Sequence, residues 1–402
     1  MRILFIAPRL PLPADTGGKI RTFNLIKQAA KTHKMDLVCF SFDANDAIYV
    51  RELLELDISV TRVPAREPNL VQKIRSVLFA SEPYSITKYY SKKMEEAIKR
   101  LAHENSYDMI HFDHIHMTHY DEFFDGQACL VDEHNVEYKI LERCADVERS
   151  LIKKKLFMDQ SRKMKRFEAK KIGSFSACSA VSDEDGRVLT RLTDNIKTIY
   201  TLPNGVDTEY FQSPVTRHRS PEEDAVVFTG SMDWLPNDDA AVYFCEDILP
   251  RVWTISPDTK FYIVGKGPSD RLKNLANDEP RIVLPGRVDD VRAFMAKSKV
   301  FVVPLRIGGG TRLKILEAMS MEKAVVSTSI GAEGIDYTED ANIVLADRPE
   351  VFAQKVVSLF ADDEKRGALG AAGRKLVLEK YDWNIVGKKL NRIYEDVIHG
   401  GS

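Results

Sequence analysis

The chain has 402 residues, long for one domain and natural for two. A formal net charge of −2 points to neither nucleic acid nor an acidic polymer as partner. Cys39, Cys129, Cys144, Cys178 and Cys245 are scattered without CxxC spacing, which argues against a zinc site or redox pair and suits reduced thiols in the cytosol.

The opening MRILFIAP reads as a buried strand rather than a signal peptide. No apolar run has bilayer-spanning length, so the expected location is cytoplasmic. Strand-like runs then alternate with helix-length segments: RILFIA, KMDLVCF, DISVTRV, DMIHF, ACLVDE, SACSAVS and IKTIYTLP in the first half. AVVFTG, KFYIVG, RIVLPG, KVFVVP, KAVVSTS and NIVLAD follow in the second. This alternation predicts βαβ units and parallel sheets, and near-continuous apolar runs suit strands covered on both faces. The series breaks at LPNGVDTEYFQSPVTRHRSPEEDA, a turn-rich linker over 202–225. We therefore expect an α/β chain of two doubly wound, Rossmann-like domains, 1–205 and 206–380, with ligands at the carboxyl ends of the strands in a cleft between them. The tail 381–402 reads as an amphipathic helix, with Trp383, Ile385, Val386, Leu390, Ile393 and Tyr394 near one face, packing back across the domains.

In the first half, LPADTGGKIRTFNLIKQAA places Gly17 and Gly18 between the first strand and a helix, with Asp15, Lys19 and Arg21 around the turn. For those charged residues, a binding role and an ordinary solvated face stand equal. Histidines gather in HFDHIHMTHY and VDEHNVEY. The spacing of His111, His114, His116 and His119 fits no clean metal geometry and no cysteine accompanies it, so no metal site is expected. His134, just after ACLVDE, is the candidate functional histidine, as a neutral imidazole able to hydrogen-bond a sugar. None of the nearby Asp132, Glu133 and Glu137 is assigned as a base. Two segments, 69–93 and the strongly cationic 150–171, mix lysines with apolar residues at helical spacing. For the second, docking on an anionic membrane and a solvated helix face stand even.

In the second half, PLRIGGGTRLKILEAMS (304–320) runs from strand through glycines into a helix. A glycine turn ahead of a helix N-terminus is an anion site. Thr311 is the expected N-cap. Arg312 and Lys314 violate the usual charge preference of a first turn, which a bound diphosphate would explain. Thr311, Lys314 and Glu317, three apart, should share one stripe, with Glu317 placed to accept from a ribose diol. The plainer alternative is a glycine turn with exposed cations and a Lys314–Glu317 pair.

The stretch resembles the nucleotide-sugar motif of retaining glycosyltransferase family four, whose fold is GT-B. The family helix reads E-A-M-A before a strand like PVV, and here Glu317, Ala318, Met319 and Ser320 precede KAVVSTS. NGVDTEYF (204–211) resembles the interdomain segment, VLPGRVDDVRAFMAKSKVFVVP (283–304) the base-binding turn, helix and strand, and YDW the family tail. Two departures stand out. Gly309 replaces the glutamate usual eight positions before Glu317, and FTGSMDWLPNDDA lacks the family's Arg and Lys pair. Both departures, with GGGTR-L-K, resemble a bacterial surface-polysaccharide subgroup.

The resemblance implies transfer of a hexose, with retention, from a nucleoside-diphosphate sugar to a hydroxyl of a glycan or lipid-linked acceptor in polysaccharide biosynthesis. His134, Arg312 and Lys314 are the catalytic candidates. Gly17, Gly18, Gly230, Ser231, Gly265, Arg287, Val288, Gly308, Gly309, Gly310, Thr311, Arg312, Lys314 and Glu317 are the donor-binding candidates. No metal or cofactor is expected. The expected partners are the donor, the acceptor and an anionic membrane at the inner face, not nucleic acid. A GT-B sugar-nucleotide epimerase and a nucleotide-sugar-binding protein without turnover are the alternatives.

Overall fold

Each apolar run of the series is a strand in the computed structural model, which describes residues 1–43, 46–148, 150–194, 198–212 and 223–400. Part of the expected linker, 213–222, the start of IKTIYTLP and the last two residues lie outside that range. The chain divides into two compact units, Met1–Pro203 with Trp383–Ser402, and Asn204–Asp382.

The first unit holds a seven-stranded parallel sheet of β1 (Arg2–Ala7), β2 (Lys34–Ser41), β3 (Ile58–Pro64), β4 (Met109–Asp113), β5 (Cys129–Glu133), β6 (Ala177–Ala180) and β7 (Ile199–Thr201). Its order is β3-β2-β1-β4-β5-β6-β7. The second unit holds β8 (Glu223–Thr229), β9 (Lys260–Val264), β10 (Ile282–Gly286), β11 (Ser298–Val303), β12 (Ala324–Ser327) and β13 (Val344–Leu345), in the order β10-β9-β8-β11-β12-β13 and again parallel. Central strands are buried along nearly their whole length, as Ile3–Ala7 and Ala225–Phe228 show, because helices cover both faces. Each sheet reverses its winding at one point, between β1 and β4 and between β8 and β11. A ligand crevice forms beyond the carboxyl ends of strands at such a switch. That places Gly17, Gly18 and the β4–β5 histidines at one switch, and Gly230 and the Gly308–Gly310 loop at the other.

Seven helices position the candidate residues: α1 (Gly17–Ala30), α2 (Leu70–Phe79), α3 (Glu137–Val147), α4 (Leu151–Ser174), α5 (Leu235–Tyr243), α6 (Leu313–Ser320) and α7 (Trp383–His399). The tail helix α7 belongs to the first unit and packs on α1, so close that a side chain on Gly387 would strike Gln28. It buries Trp383, Val386, Leu390, Ile393 and Tyr394, while Ile385 stays 36% exposed and leaves the expected stripe. Among the described residues no helix is long and apolar enough to cross a membrane.

Candidate active site

In the second unit the carboxyl ends of three strands are stitched together turn on turn. Gly230 N donates to Val264 O (3.0 Å) and Gly265 N to Gly286 O (3.0 Å). Gly265 has φ +155°, and a Cβ there would lie 1.7 Å from Gly230 O. Only glycine lets these two backbones meet. Past the turn, Ser231 Oγ donates to Asp233 (2.6 Å), and Ser231 O accepts from Asn237 Nδ2 (2.9 Å).

The glycine loop after β11 corrects one expectation. Helix α6 begins at Leu313, and its N-cap is Arg312, in extended conformation with no side-chain cap. Thr311 lies outside the helix: its hydroxyl donates to Gly334 O (3.2 Å) and its carbonyl accepts from Asn204 Nδ2 (3.0 Å). The stripe is therefore Lys314 and Glu317 without Thr311. Arg312 is buried and folds back on the loop, donating to Gly310 O (2.8 Å) and Ile330 O (3.2 Å). Gly308 makes room for it, since a Cβ there would stand 2.3 Å from Arg312 Nη2. Arg312 thus braces the loop. Gly309 is partly exposed and presents backbone where the family has a glutamate.

Lys314 points toward the Gly230 turn. Its Nζ donates to Asn237 Oδ1 (2.8 Å), stands 3.8 Å from the Phe228 ring centroid, and would be 2.8 Å from a Cβ on Gly230. The Lys314–Glu317 pair of the plainer alternative gives way to this amide, so the ammonium is held by a neutral partner and an aromatic face. Burial pushes Lys314 down to about 7, against the raising effect of Glu317. Burial likewise pushes Glu317 up to about 7, opposed by Lys314. Both side chains keep some solvent access. An ammonium so weakly compensated is a receptor for an anion. Arg287, exposed, and Val288, half-buried, follow Gly286 at the end of edge strand β10.

In the first unit, α1 starts at Gly17 with no acidic residue in its first turn and no side-chain cap from Thr16. Lys19 Nζ reaches Asp15 (3.3 Å) and Pro13 O (3.4 Å). Arg21 is turned inward instead. It grips Asp132 with two bonds (2.8 and 2.7 Å) and donates to Leu202 O (2.9 Å) and Pro203 O (3.1 Å), tying α1 and β5 to the chain leaving β7. Ser179 Oγ also donates to Asp132 (2.6 Å).

His134 lies between two carboxylates. Its Nε2 is 3.0 Å from Asp113 Oδ1 and 3.3 Å from Asp132 Oδ2, while Thr22 donates to the other Asp113 oxygen (2.7 Å). Its Nδ1 would lie 3.9 Å from a Cβ on Gly18, so the ring faces the glycine turn. Burial alone would lower its pKa, but the two carboxylates outweigh that and hold it at about 9. Against the expected neutral imidazole, the two carboxylates favour the protonated ring. Asp132 would be raised by burial, yet Arg21 and His134 keep it well below the usual carboxylate range.

Of the histidines in HFDHIHMTHY, His111 is buried and His114, His116 and His119 are half-buried. His111 stacks on Phe5 (4.1 Å) and bonds Tyr394 (2.8 Å), and burial pushes it down to about 4. His114 stacks on His116 (3.9 Å), and burial likewise pushes His116 to about 3. Ligand atoms of His111, Asp113 and Asp132 come within 4.8 Å of one another. The carboxylates there already take hydrogen bonds from Thr22, Ser179, Arg21 and His134, while His111 Nε2 has no hydrogen-bond partner among the described residues.

Two residues of these sites, Asn237 and Asp113, carry no signal in the sequence. Asn237 sits on an unremarkable helix start, and its meaning arises only from Lys314, far along the chain. Asp113 lies inside the histidine run and is hidden by it.

Two doubly wound parallel units of this kind are the arrangement of the GT-B fold. Residues 223–362, within the second unit, match the family model described as glycosyl transferases group 1. A phosphatidyl-myo-inositol mannosyltransferase of Mycobacterium tuberculosis is 30% identical over 211 residues, 50% of this chain and 55% of that protein. A GDP-mannose-dependent monoacylated alpha-(1-6)-phosphatidylinositol monomannoside mannosyltransferase of Corynebacterium glutamicum is 26% identical over 210 residues, 48% and 55% of the two chains. The chain spans about half the length of the curated relatives it matches. Among solved structures, Anabaena HepE in complex with UDP and glucose superposes with a TM-score of 0.71 at 14% identity, covering 98% of this chain and 99% of that one. A sucrose-phosphate synthase from Thermosynechococcus elongatus gives 0.75 at 16% identity over all of both chains.

Proposed function

We propose that this chain transfers a hexose from a nucleoside-diphosphate sugar to a hydroxyl of a glycan or lipid-linked acceptor in polysaccharide or glycolipid synthesis, with retention at the anomeric carbon. Lys314 carries the reading: a recessed, half-titrated ammonium aimed at a glycine turn. A diphosphate brings the charge that the site lacks. The Lys314 ammonium and the N-terminus of α6 then stabilise the leaving diphosphate as its charge develops. Arg312 keeps the loop in shape and adds its charge to the same end. Glu317, one turn beyond Lys314, accepts from the ribose. His134, fixed through Nε2, presents its Nδ1–H to the reacting sugar and cannot serve as a base while protonated. Protein cations take the place of a metal in this scheme.

The relatives' names keep the donor base open, since one is GDP-mannose-dependent and HepE was solved with UDP. A thermal-shift panel of UDP, GDP, ADP, CDP and dTDP, with and without chelator, separates them. One base should raise the melting point by about 5–10 °C at a hundredfold excess over its dissociation constant. The shift should survive chelation. A panel with no response would overturn the reading. A second reading, nucleotide-sugar binding without turnover, is kept by Gly309 alone. Product formed from labelled donor and an acceptor extract excludes it.

A further inference from the structure

The membrane expectation from the sequence rests on the cationic stripe 150–171, and the structure redistributes that charge. Lys163 pairs with Asp159 (2.9 Å) and donates to Val77 O (3.2 Å), Lys171 pairs with Asp121 (2.7 Å), and Lys165 lies over the Tyr138 ring (5.1 Å). Part of the far half of α4 is therefore occupied within its own unit, while Arg162, Arg166 and Lys170 stay exposed. Its start is exposed too, and there Leu151 and Ile152 stand beside Lys153 and Lys155.

Helix α2 is the stronger feature. Leu70, Val71, Ile74 and Leu78 fall on one face by their spacing, Phe79 follows, and all five are between 50% and 81% exposed. None of its side chains is buried, although Asn69 and Gln72 close a capping box at its start. Ten residues are too few for a stable isolated helix, and this one directs its apolar face away from its own core. Residues 69–81 contain Lys73 and Arg75 and no acid before Glu82, and neither cation forms an ion pair among the described residues. The Val77 carbonyl also accepts from Gln160 of α4 (3.3 Å), so α2 lies beside the middle of α4. The exposed α4 start is then about 14 Å further along that helix.

We infer that the apolar face of α2, with the start of α4 beside it, docks the first unit on an anionic lipid surface. The five apolar side chains enter the headgroup boundary while Lys73, Arg75, Lys153 and Lys155 meet lipid phosphates. Charge selects this occupant over a second copy of the chain. A two-fold pairing of α2 on itself would set Lys73 and Arg75 against their own kind, whereas anionic headgroups oppose them with the complementary sign. The inference deepens the proposed action on a lipid-linked acceptor, and its test uses neither donor nor acceptor.

The test is co-sedimentation of the intact protein with phosphatidylcholine vesicles and with vesicles containing about one-third phosphatidylglycerol. Binding should be confined to the anionic vesicles at low salt and fade as the Debye length falls to about 3 Å near molar salt. Ile74→Glu with Leu78→Glu should lower that binding at least about tenfold, with the melting point and the nucleoside-diphosphate shift unchanged, since both side chains are exposed. Loss of the nucleotide shift in the unaltered protein would count against the transferase reading and leave the docking result standing. Equal partition into both vesicle types, or undiminished binding by the double variant, overturns the inference. So does a dimer in analytical ultracentrifugation that the same double variant dissociates.

Discussion

Lys314 Nζ and Asn237 Oδ1 lie 2.8 Å apart, joining a helix start after β11 to the first turn of the helix after β8. The amide also bonds Ser231 O, so one asparagine fixes both the glycine turn and the ammonium above it. Lys314→Ala should weaken nucleoside-diphosphate binding at least about tenfold, the worth of a charge-assisted contact of about 1.5–3 kcal/mol. Asn237→Ala should cost less, because the ammonium survives but loses its aim. Isothermal calorimetry distinguishes the two, and unchanged binding in Lys314→Ala would remove the lysine from the site.

The same ammonium makes binding sensitive to pH. Lys314 sits at about 7 in the free protein, and a diphosphate must raise it. The complex then holds a proton that the free protein has lost above pH 7, so affinity declines as pH rises past that value. Calorimetry at pH 8 in buffers of different ionisation enthalpy should show proton uptake, and Lys314→Met should abolish it. Equal apparent enthalpies in all buffers for the unaltered protein refute the assignment.

His134 links chemistry to stability. Removing it should lower turnover by roughly a hundredfold with nucleotide affinity nearly intact. Its pKa is raised from an unfolded value near 6.5 to about 9 by its carboxylate partners, against the pull of burial. Its stabilising contribution is thus complete below about pH 6.5 and is lost as pH rises through 9. Asp113→Asn should shift the alkaline loss of activity to lower pH. A pH–rate profile with an unmoved alkaline limb separates His134 from that limb.

Glu133 is buried with neither carboxylate oxygen hydrogen-bonded among the described residues. Burial first, then Glu168 and Glu137, push its pKa well above the usual range. Such a group favours the fold while protonated and withdraws support as pH rises above its unfolded value near 4.3. Glu133→Gln should therefore raise the melting point of the first unit at pH 9 and change it little at pH 5. An equal shift at both values would mean that the carboxyl is not held neutral by the fold.

Gly265→Ala tests the strand-end stitching. Its Cβ would fall on Gly230 O, a backbone atom that cannot swing aside. A loss of at least about 3 kcal/mol in the second unit is expected, with the nucleotide shift lost as well. Chemical denaturation followed by Trp fluorescence reads it. A near-neutral change would show that the turns do not meet as described.

The strand series is legible in the sequence because apolar runs of four to eight residues between helical patterns can hardly pack otherwise. The glycine loop and Lys314 are legible because they break local rules: three glycines in a row, and cations where a helix start favours acids. The positions of Gly230 and Gly265 at strand ends follow from the same periodicity. What the sequence does not decide is charge state and aim, because both depend on partners far along the chain. Arg312 and Lys314 look equivalent in one dimension, yet one folds back on loop carbonyls and the other reaches an asparagine on another helix. His134 looks like an ordinary loop histidine until β4 and β5 bring two carboxylates against one nitrogen. Lys163 and Lys171 read as part of a free cationic stripe, and packing occupies them within the unit. Local pattern sets which elements form. The low-dielectric meeting of distant side chains, which only the tertiary structure creates, sets which of their charges remain available to a ligand.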